Sequence, residues 1–468
     1  MIRLFRVFIP TSVLGLLLSE FILIFLCYIA AAFIFPVFIP DPYDPQMFLF
    51  SEHGFFRIGI IVASIMAGIY FHNLYAQLRI RSRIQLVEQL CLTVGIACFT
   101  QAFLVYVKRP DWAVPRYLMI FGSALTLLLL PAWRIFYGNV VMAALGFQRL
   151  LFLGTSQTVR DIGAHLLDHP EAGMLPIGYV DNIDPETDLP GGRWLGCMED
   201  LNAVVENYKP DRIVVGLSER RQQLPVMELL ALRLSGLHIE EAFNTYETTF
   251  GRVSTRELRP SQLIFSAKLG PRRGSLFFHS AYSTIVAVFL VVVFAPIMAL
   301  VAILVKLSSK GPILHRQTRV GLYDAPFTVY KFRSMYADAE LRTGAVWAQK
   351  DDPRITPLGK WLRRLRLDEL PQLLNVLRGE MAMVGPRPER PEFVKTLVEQ
   401  IPYYGQRHCV KPGITGWAQI NHKYGDTLQD TIIKLEFDLY YIKNLAFSLD
   451  TYIMFHTLRV MLFSDTAQ

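Results

Sequence analysis

Long stretches without a charged side chain constrain this chain more than any other feature. Four stretches are strongly apolar, and they cover residues 7–40, 58–78, 89–107 and 117–133. Only one charged residue, Glu20, interrupts them. Since about 20 apolar residues cross the ~30 Å hydrocarbon core of a bilayer, the pattern predicts four membrane-spanning helices within residues 1–145. Glu20 is either a functional residue of the membrane region or a partner in a bond between helices.

Charge is distributed unevenly along the chain. Residues 1–145 hold 10 Lys/Arg and 6 Asp/Glu, whereas the remaining 323 residues hold 71 charged side chains. The mean hydropathy of +0.31 excludes a disordered protein or a nucleic-acid-binding tail. The net charge of +7 suits an anionic lipid surface or phosphate-bearing substrates. Basic residues before the first helix and between the second and third predict that both termini are cytoplasmic.

Between residues 150 and 269 the pattern changes to short buried strands that alternate with helical stretches. The strand-like segments cover residues 150–153, 177–180, 212–215 and 237–240. This alternation predicts a doubly wound α/β, Rossmann-like domain over residues 146–270. The turn after its first strand keeps Gly154 but lacks the second glycine of a dinucleotide fingerprint. That departure favours a structural or regulatory module over a nucleotide site.

Residues 274–305 form the longest uncharged segment, and Pro296 lies within it. Two arginines directly precede the segment and two lysines follow it, so both of its ends favour the cytoplasm. A helix that enters the membrane, bends at Pro296 and returns satisfies both features. A fifth span is the alternative. We therefore predict a re-entrant helix at the start of a third region, residues 271–468.

An acidic pair, Asp368 and Glu369, lies just before Pro371. Because proline is tolerated only in the first turn of a helix, a helix is predicted to begin within a residue or two of Asp368. Free N–H groups and the positive helix dipole there would keep both carboxylates ionised and attract phosphate. An ionised aspartate can attack phosphorus, and an adjacent carboxylate can hold Mg²⁺ against a diphosphate. A plain acidic helix cap is the alternative.

Residues 360–367, directly before the acidic pair, have the pattern of a basic amphipathic helix. Arg363 and Arg364 share one face with Lys360, and Trp361 shares the other with two leucines. Such a helix is suited to the headgroup layer of a bilayer. A solvated surface helix is the alternative.

Further cations lie on a stiff loop and on a predicted strand. The loop, residues 385–391, contains three prolines, which fix φ and so present Arg387 and Arg390 with little entropy left to lose. The planar guanidinium of arginine binds phosphate oxygens in a bidentate manner. Lys331 and Arg333 add two cations on the strand.

Four ordered motifs follow one another in the C-terminal region. They are Lys331-Phe-Arg-Ser-Met335, Leu367-Asp-Glu-Leu-Pro-Gln-Leu373, Val384-Gly-Pro-Arg-Pro-Glu389 and Lys411-Pro-Gly-Ile-Thr-Gly-Trp-Ala-Gln-Ile420. Together they resemble the bacterial sugar transferases, the polyprenyl-phosphate glycosyl-1-phosphate transferases. With the preceding membrane and α/β regions, the whole chain resembles the large monotopic subclass, and most closely the exopolysaccharide type associated with PEP-CTERM systems.

The resemblance implies an undecaprenyl-phosphate glycosyl-1-phosphate transferase in the bacterial inner membrane, with a cytoplasmic α/β-type catalytic domain. Asp368 would attack the β-phosphate of a UDP-sugar, release UMP and form a phosphosugar-aspartyl intermediate. Undecaprenyl phosphate would then accept the phosphosugar and so initiate exopolysaccharide or O-antigen-type assembly. Glu369 would ligate Mg²⁺, and Arg387 would hold phosphate. The other side chains expected to bind substrate or phosphate are Lys331, Arg333, Arg363, Arg364, Glu389 and Gln419.

Several points stay open. A membrane glycosyltransferase that moves the sugar alone and releases UDP is one alternative, and a non-enzymatic scaffold or sensor is another. The family often has serine where this chain has Ala295, and glycine-arginine where this chain has His422 and Lys423. Glucose and galactose are favoured by family analogy alone. The role of the α/β domain is open, and the chain offers surface for a homodimer.

Overall fold

The computed structural model describes residues 2–4, 6–38, 44–72, 74–75, 83–107, 110–141, 147–182, 189–190, 192–217, 224–256, 273–336, 352, 354–422 and 427–463. The chain divides into two compact units. The first unit contains residues 1–2 and 8–241, and the second contains residues 3–7 and 242–468.

Four long apolar helices begin the first unit, after the short strands β1 (Ile2–Leu4) and β2 (Val7–Ile9). They are α1 (Thr11–Phe38), α2 (Gly54–Phe71), α3 (Arg83–Tyr106) and α4 (Arg116–Phe136). Each is long and apolar enough to cross a membrane. The four apolar stretches therefore form helices of the predicted kind.

Glu20 is fully buried among these helices and forms an ion pair with Arg134 of α4. Nε of Arg134 lies 2.5 Å from one carboxylate oxygen of Glu20, and its Nη2 donates to the other at 3.0 Å. The hydroxyl of Tyr75 donates to that second oxygen at 2.8 Å. A charge in an apolar bundle is retained when it is paired in this way. Of the two interpretations of Glu20, the structure supports the bond between helices.

A five-stranded parallel sheet completes the first unit. Its strands are β3 (Gln148–Leu153), β4 (Met174–Val180), β5 (Trp194–Gly196), β6 (Arg212–Val215) and β7 (His238–Glu241), in the order β5-β4-β3-β6-β7. Its helices are α5 (Gln157–Asp168), α6 (Leu201–Tyr208) and α7 (Val226–Leu234). All four predicted strands are present, and this strand order is that of a doubly wound α/β domain. The short β5 was not predicted.

The turn after β3 is closed by contacts within the domain. Gly154 has a φ of +96°, and a Cβ there would lie 2.7 Å from the carbonyl oxygen of Gly216. The hydroxyl of Thr155 donates to Asp181, which follows β4, at 2.7 Å. The positive φ and the close approach to Gly216 explain why glycine is required at the first position of the turn. The role of this domain stays a prediction.

The second unit combines a long apolar helix with two small sheets. Its helices are α8 (Ala242–Phe250), α9 (Arg273–Ser308), α10 (Pro357–Arg364), α11 (Leu373–Leu377), α12 (Pro391–Gln400), α13 (Trp417–Asn421), α14 (Leu428–Lys443) and α15 (Phe447–Phe463). Strands β8 (Leu314–Val320) and β9 (Pro326–Phe332) pair antiparallel, and β10 (Ala382–Val384) and β11 (Gly413–Thr415) pair parallel. Three 3₁₀ helices lie between these elements in the described part of this unit: Leu322–Asp324, Leu367–Gln372 and Tyr404–Cys409.

The two units divide between Glu241 and Ala242, and the predicted domain boundaries stay predictions. Helix α8 belongs to the second unit, where the hydroxyl of Tyr246 donates to Glu436 of α14 at 3.0 Å. The two predicted boundaries themselves fall in residues 142–146 and 257–272, outside the described residues.

Helix α9 contacts the rest of the second unit along both of its halves. Its first half, up to Val291, packs against a core that includes Val384, and its second half, from Met298 onwards, packs against Phe332 and Leu362. Pro296 lies between these contacts and does not end the helix. By length and composition α9 is also a fifth helix able to cross a membrane. The predicted bend at Pro296 stays a prediction.

Candidate active site

The acidic pair begins a short helix, as the sequence predicts. Asp368 and Glu369 lie in the first turn of the 3₁₀ helix Leu367–Gln372, and each is only 8% exposed. Arg366, directly before them, has a φ of +52°, a left-handed conformation that separates this helix from α10. The two carboxylates are therefore held on a rigid element, close to the surface but largely out of water.

Three cations surround the Glu369 carboxylate. Lys331 Nζ lies 2.8 Å and Arg387 Nη2 lies 3.0 Å from the same oxygen, Oε1. Arg366 Nη1 lies 3.7 Å from Oε2. Burial disfavours the ionised form, but these three positive charges outweigh it and hold the pKa of Glu369 well below its usual range. Glu369 is therefore a permanent anion at neutral pH.

Asp368 has a different environment. Among the described residues, none donates a hydrogen bond to its carboxylate or forms an ion pair with it. Burial, with the charge of Glu369 added, raises the pKa of Asp368 to about 6, against the attraction of Lys331 and two arginines. Desolvation thus raises the pKa of Asp368, yet a value of about 6 leaves most of this carboxylate ionised at neutral pH.

Asn375 fixes strand β9 beside the acidic pair. Its side-chain amide is fully buried, donates to the carbonyl of Thr328 at 2.7 Å and accepts from the backbone N–H of Tyr330 at 3.2 Å. The amide thus replaces a neighbouring strand for this part of β9. Lys331, which contacts Glu369, is the next residue of β9 after Tyr330.

Three of the predicted phosphate-binding cations lie at the pair. Lys331 and Arg387 contact Glu369, and the positive charge of Arg363 lowers the pKa of Asp368. Arg363 is held by a bond from its Nε to the hydroxyl of Ser334 at 2.9 Å.

The contacts of the other predicted residues point elsewhere. Arg333 is buried, and its Nη2 donates to the carbonyl of Ser309 at 2.6 Å, at the end of α9. Glu389 lies 3.4 Å from Arg319, and Gln419 donates to the carbonyl of Ile414 at 3.4 Å. Arg364 is exposed on α10. A role for these residues in binding substrate stays a prediction.

Helix α10 is amphipathic, as the sequence predicts. Leu362 is buried against the second half of α9, whereas Trp361 is 63% exposed and Leu365 is also exposed. These two exposed apolar residues lie beside the exposed Lys360 and Arg364. Apolar and basic side chains on one surface suit the boundary between headgroups and hydrocarbon.

Three further residues at or near the site, Arg366, Arg407 and Asp438, were not predicted from the sequence. Arg366 is one of several arginines just before the pair, and only its left-handed backbone brings it to Glu369. Arg407 and Asp438 form a buried ion pair between distant parts of the chain. No local pattern marks such a pair.

Comparison with known proteins adds independent information. The sequence profile of the family described as bacterial sugar transferase matches residues 275–464. A UDP-N-acetylgalactosamine-undecaprenyl-phosphate N-acetylgalactosaminephosphotransferase of Aeromonas hydrophila is 36% identical over 357 residues, which cover 75% of this chain and 79% of that protein. UDP-glucose:undecaprenyl-phosphate glucose-1-phosphate transferases of Xanthomonas campestris pv. campestris and Escherichia coli (strain K12) are 33% identical over 341 residues and 44% identical over 295 residues. These matches cover 71% and 62% of this chain, and 70% and 62% of the respective relatives.

Proposed function

Because the chain belongs to the bacterial sugar transferase family, we propose that it transfers a hexose 1-phosphate from a UDP-sugar to undecaprenyl phosphate and releases UMP. The observation that carries the proposal is the contrast within the acidic pair. Glu369 is bound by cations, whereas Asp368 is buried beside them with its carboxylate unpaired among the described residues. The unpaired carboxylate is the one available to attack phosphorus.

The reaction proceeds in two displacements at one phosphorus atom. A carboxylate oxygen of Asp368 forms a bond to the β-phosphorus of the UDP-sugar, and the bond from that phosphorus to the bridging oxygen breaks. UMP leaves with the bridging oxygen and its electron pair. An oxygen of undecaprenyl phosphate then attacks the same phosphorus, and the Asp368 carboxylate leaves. The product is undecaprenyl-diphospho-sugar, the first lipid-linked intermediate of an exopolysaccharide or O-antigen-type glycan.

Lys331 and Arg387 bind the diphosphate in this scheme. Both donate to Glu369 in the unliganded protein, so they are already oriented towards the acidic pair. Phosphoryl transfer depends mainly on positioning and on stabilising the charge of the transferred group. When phosphate oxygens replace Glu369 as acceptors of these two donors, Oε1 of Glu369 becomes free for another partner.

Mg²⁺ is the partner that we propose for Glu369. Within the described ranges, no cluster of three or more Asp, Glu, His or Cys residues forms a complete metal site. The Glu369 carboxylate fits Mg²⁺ nonetheless, because this ion is bound through as few as one or two carboxylates and completes its shell with substrate phosphates and water. When bound, it neutralises charge on the diphosphate.

We further propose that the second unit lies at the cytoplasmic face of the inner membrane and that α9 is re-entrant. Val291 is the last residue of the first half of α9 that packs on this unit, and Met298 is the first such residue of the second half. Only six residues lie between them. Six helical residues extend about 9 Å, far less than the ~30 Å hydrocarbon core. A reporter fused to the C-terminus is expected to be cytoplasmic, and a periplasmic reporter would contradict a re-entrant α9.

The decisive experiment incubates the full chain in lipid nanodiscs with undecaprenyl phosphate, Mg²⁺ and a panel of UDP-sugars. Glucose, galactose and N-acetylgalactosamine belong in the panel, because the named relatives differ in their sugar. UMP is expected as the released nucleotide, and UDP would refute the mechanism. Without undecaprenyl phosphate, mass spectrometry is expected to find one hexose phosphate bound to the peptide that contains Asp368.

A further inference from the structure

The Arg387 loop, residues 385–391, is held in place mainly through its carbonyl oxygens. Its prolines lack N–H groups, so the loop has few backbone donors of its own. Four consecutive carbonyls instead accept hydrogen bonds: Pro386 from Gly413 N at 3.0 Å, Arg387 from Arg407 Nη2 at 2.9 Å, Pro388 from Arg319 Nη1 at 3.1 Å and Glu389 from Val320 N at 2.9 Å.

The contact to the Arg387 carbonyl comes from a deeply buried ion pair. Arg407 is 6% exposed, and its Nη2 lies 2.8 Å from Oδ2 of Asp438, which is 1% exposed. Nη1 of Arg407 donates to the hydroxyl of Tyr404 at 2.7 Å. Burying two charges is expensive, and two apolar residues at these positions would often be as stable. A role other than stability would therefore explain this pair better.

We propose that Arg407, seated on Asp438, is a positioning residue that fixes the backbone of Arg387 so that the Arg387 guanidinium reaches the acidic pair. The contacts form a continuous chain. Asp438 holds Arg407, Arg407 holds the Arg387 carbonyl, and Arg387 Nη2 donates to Glu369. This inference rests on the proposed function, in which Arg387 binds the diphosphate.

Fixing the carbonyl matters because an arginine side chain is long and flexible. Anchoring its backbone removes much of the motion that would otherwise move the guanidinium away from phosphate. A displacement of about 1 Å at a reacting centre is enough to reduce the rate about 100-fold. Arg407 itself contacts neither carboxylate of the acidic pair among its described contacts. Its effect therefore passes through Arg387.

A double-mutant cycle tests this dependence. The Arg407→Lys variant keeps a positive charge opposite Asp438, but one ammonium group cannot replace the spread N–H groups of the guanidinium. We expect kcat/KM for the UDP-sugar that gives UMP to fall about 10- to 100-fold. In an Arg387→Met background the same change is expected to cost less than about threefold. Equal losses in the two backgrounds, or no loss in either, would overturn the proposal.

A neighbouring ion pair provides the matched control. Arg252 lies 3.4 Å from Glu436, which is on the same helix, α14, as Asp438. Arg252→Lys therefore makes the same chemical change at a second pair on this helix. We expect less than about a twofold effect in both backgrounds.

A second variant guards against a folding defect. Arg407→Met combined with Asp438→Leu removes both charges, so neither is left buried without a partner, and it is expected to fold. This variant should remain folded, with a cooperative thermal transition, and show the same loss of kcat/KM as Arg407→Lys. Wild-type activity in the double variant would contradict a positioning role.

Binding of inorganic diphosphate separates this inference from the proposed function. Arg407→Lys is expected to weaken the affinity for diphosphate about tenfold when Arg387 is present and to have little effect in the Arg387→Met background. If the wild-type protein released no UMP, the proposed function would fail, yet this binding cycle would still decide the relation between Arg407 and Arg387. An effect on diphosphate binding that is independent of Arg387 would refute the inference.

Discussion

Asp368 and Glu369 are adjacent and equally buried, yet three cations converge on Glu369 while none bonds to Asp368 among the described residues. The pKa of Glu369 is therefore lowered, and burial beside that anion raises the pKa of Asp368 to about 6. The two carboxylates thus have separate properties: one is a fixed anion, and the other is a desolvated base near neutral pH.

Replacing the Asp368 carboxylate should abolish turnover and stabilise the fold. For Asp368→Asn we expect UMP release to fall at least about 1,000-fold, with UDP-sugar binding largely retained. The buried charge is costly at neutral pH, and a pKa of about 6 against an ordinary value of 3.8 corresponds to about 2–3 kcal/mol. The thermal midpoint in nanodiscs should therefore rise.

The pH dependence of that gain provides an internal check. Protonated Asp368 carries no charge, so the advantage of the Asp368→Asn variant over the wild-type protein should shrink as pH falls through about 6 and vanish below about 4. The control is Glu399→Gln on the exposed face of α12, which should change neither activity nor midpoint. An active Asp368→Asn enzyme would remove the nucleophile from the mechanism.

Activity should fall on the acid side because Asp368 attacks only as a carboxylate. We expect log kcat/KM to rise with a slope of about 1 up to a pH of about 6 and to level off above it. In Lys331→Met this limb should move to higher pH, because Lys331 lowers the pKa of Asp368. A profile that is flat across this range in the wild-type protein would contradict the assignment.

Two cations of one motif should differ in what they support. Lys331 donates to Glu369, whereas Arg333 donates to the end of α9. Lys331→Met is expected to lower kcat/KM about 10- to 150-fold with little change in thermal midpoint. Arg333→Met should mainly destabilise, by about 1–3 kcal/mol, because it leaves buried carbonyls without a donor. The reverse pattern would support Arg333 as a phosphate ligand.

These two residues also illustrate what the sequence could predict. Both are cations of one recognisable motif, with a single residue between them, and both were expected to bind phosphate. Local pattern identified the strand but not the partner of each side chain, because the partner depends on which distant element packs there. Arg407 and Asp438 were not predicted for the same reason, because their ion pair forms between separate segments of the chain.

Features set by nearby residues were more predictable. Pro371 predicts a helix start within a residue or two of Asp368, and the 3₁₀ helix begins at Leu367. Apolar runs predict the strands β3, β4, β6 and β7. The left-handed Arg366 was not predicted, since arginine has no preference for that conformation. The sequence also did not indicate which apolar residues of α10 are buried. The second half of α9 covers Leu362 and leaves Trp361 exposed.

Asn375 should be essential for the stability of the site. In Asn375→Ala the N–H of Tyr330 and the carbonyl of Thr328 lose their partner in a partly buried region. We expect a loss of about 2–4 kcal/mol, measured as a lower thermal midpoint, together with reduced turnover because β9 carries Lys331. The control is Thr396→Ala, an exposed position of α12, where no change is expected. An unchanged midpoint in Asn375→Ala would show that β9 is held by other contacts.

The exposed surface of α10 should affect how the lipid substrate reaches the active site, and it should not affect binding of the UDP-sugar. Lys360 and Arg364 flank the exposed Trp361, and only two residues separate the end of α10 from Leu367, the first residue of the 3₁₀ helix that bears Asp368. Each basic residue near an anionic surface contributes about 1 kcal/mol, or roughly a fivefold effect. Lys360→Gln combined with Arg364→Gln should therefore slow transfer to undecaprenyl phosphate about tenfold or more in anionic nanodiscs.

The UMP burst measured without undecaprenyl phosphate should be unchanged, because it reports only the attack by Asp368. Neutral nanodiscs should abolish the difference between this variant and the wild-type protein, and Lys395→Gln on the exposed face of α12 should have no effect in either lipid. A reduced burst in the double variant would instead assign these cations to the UDP-sugar.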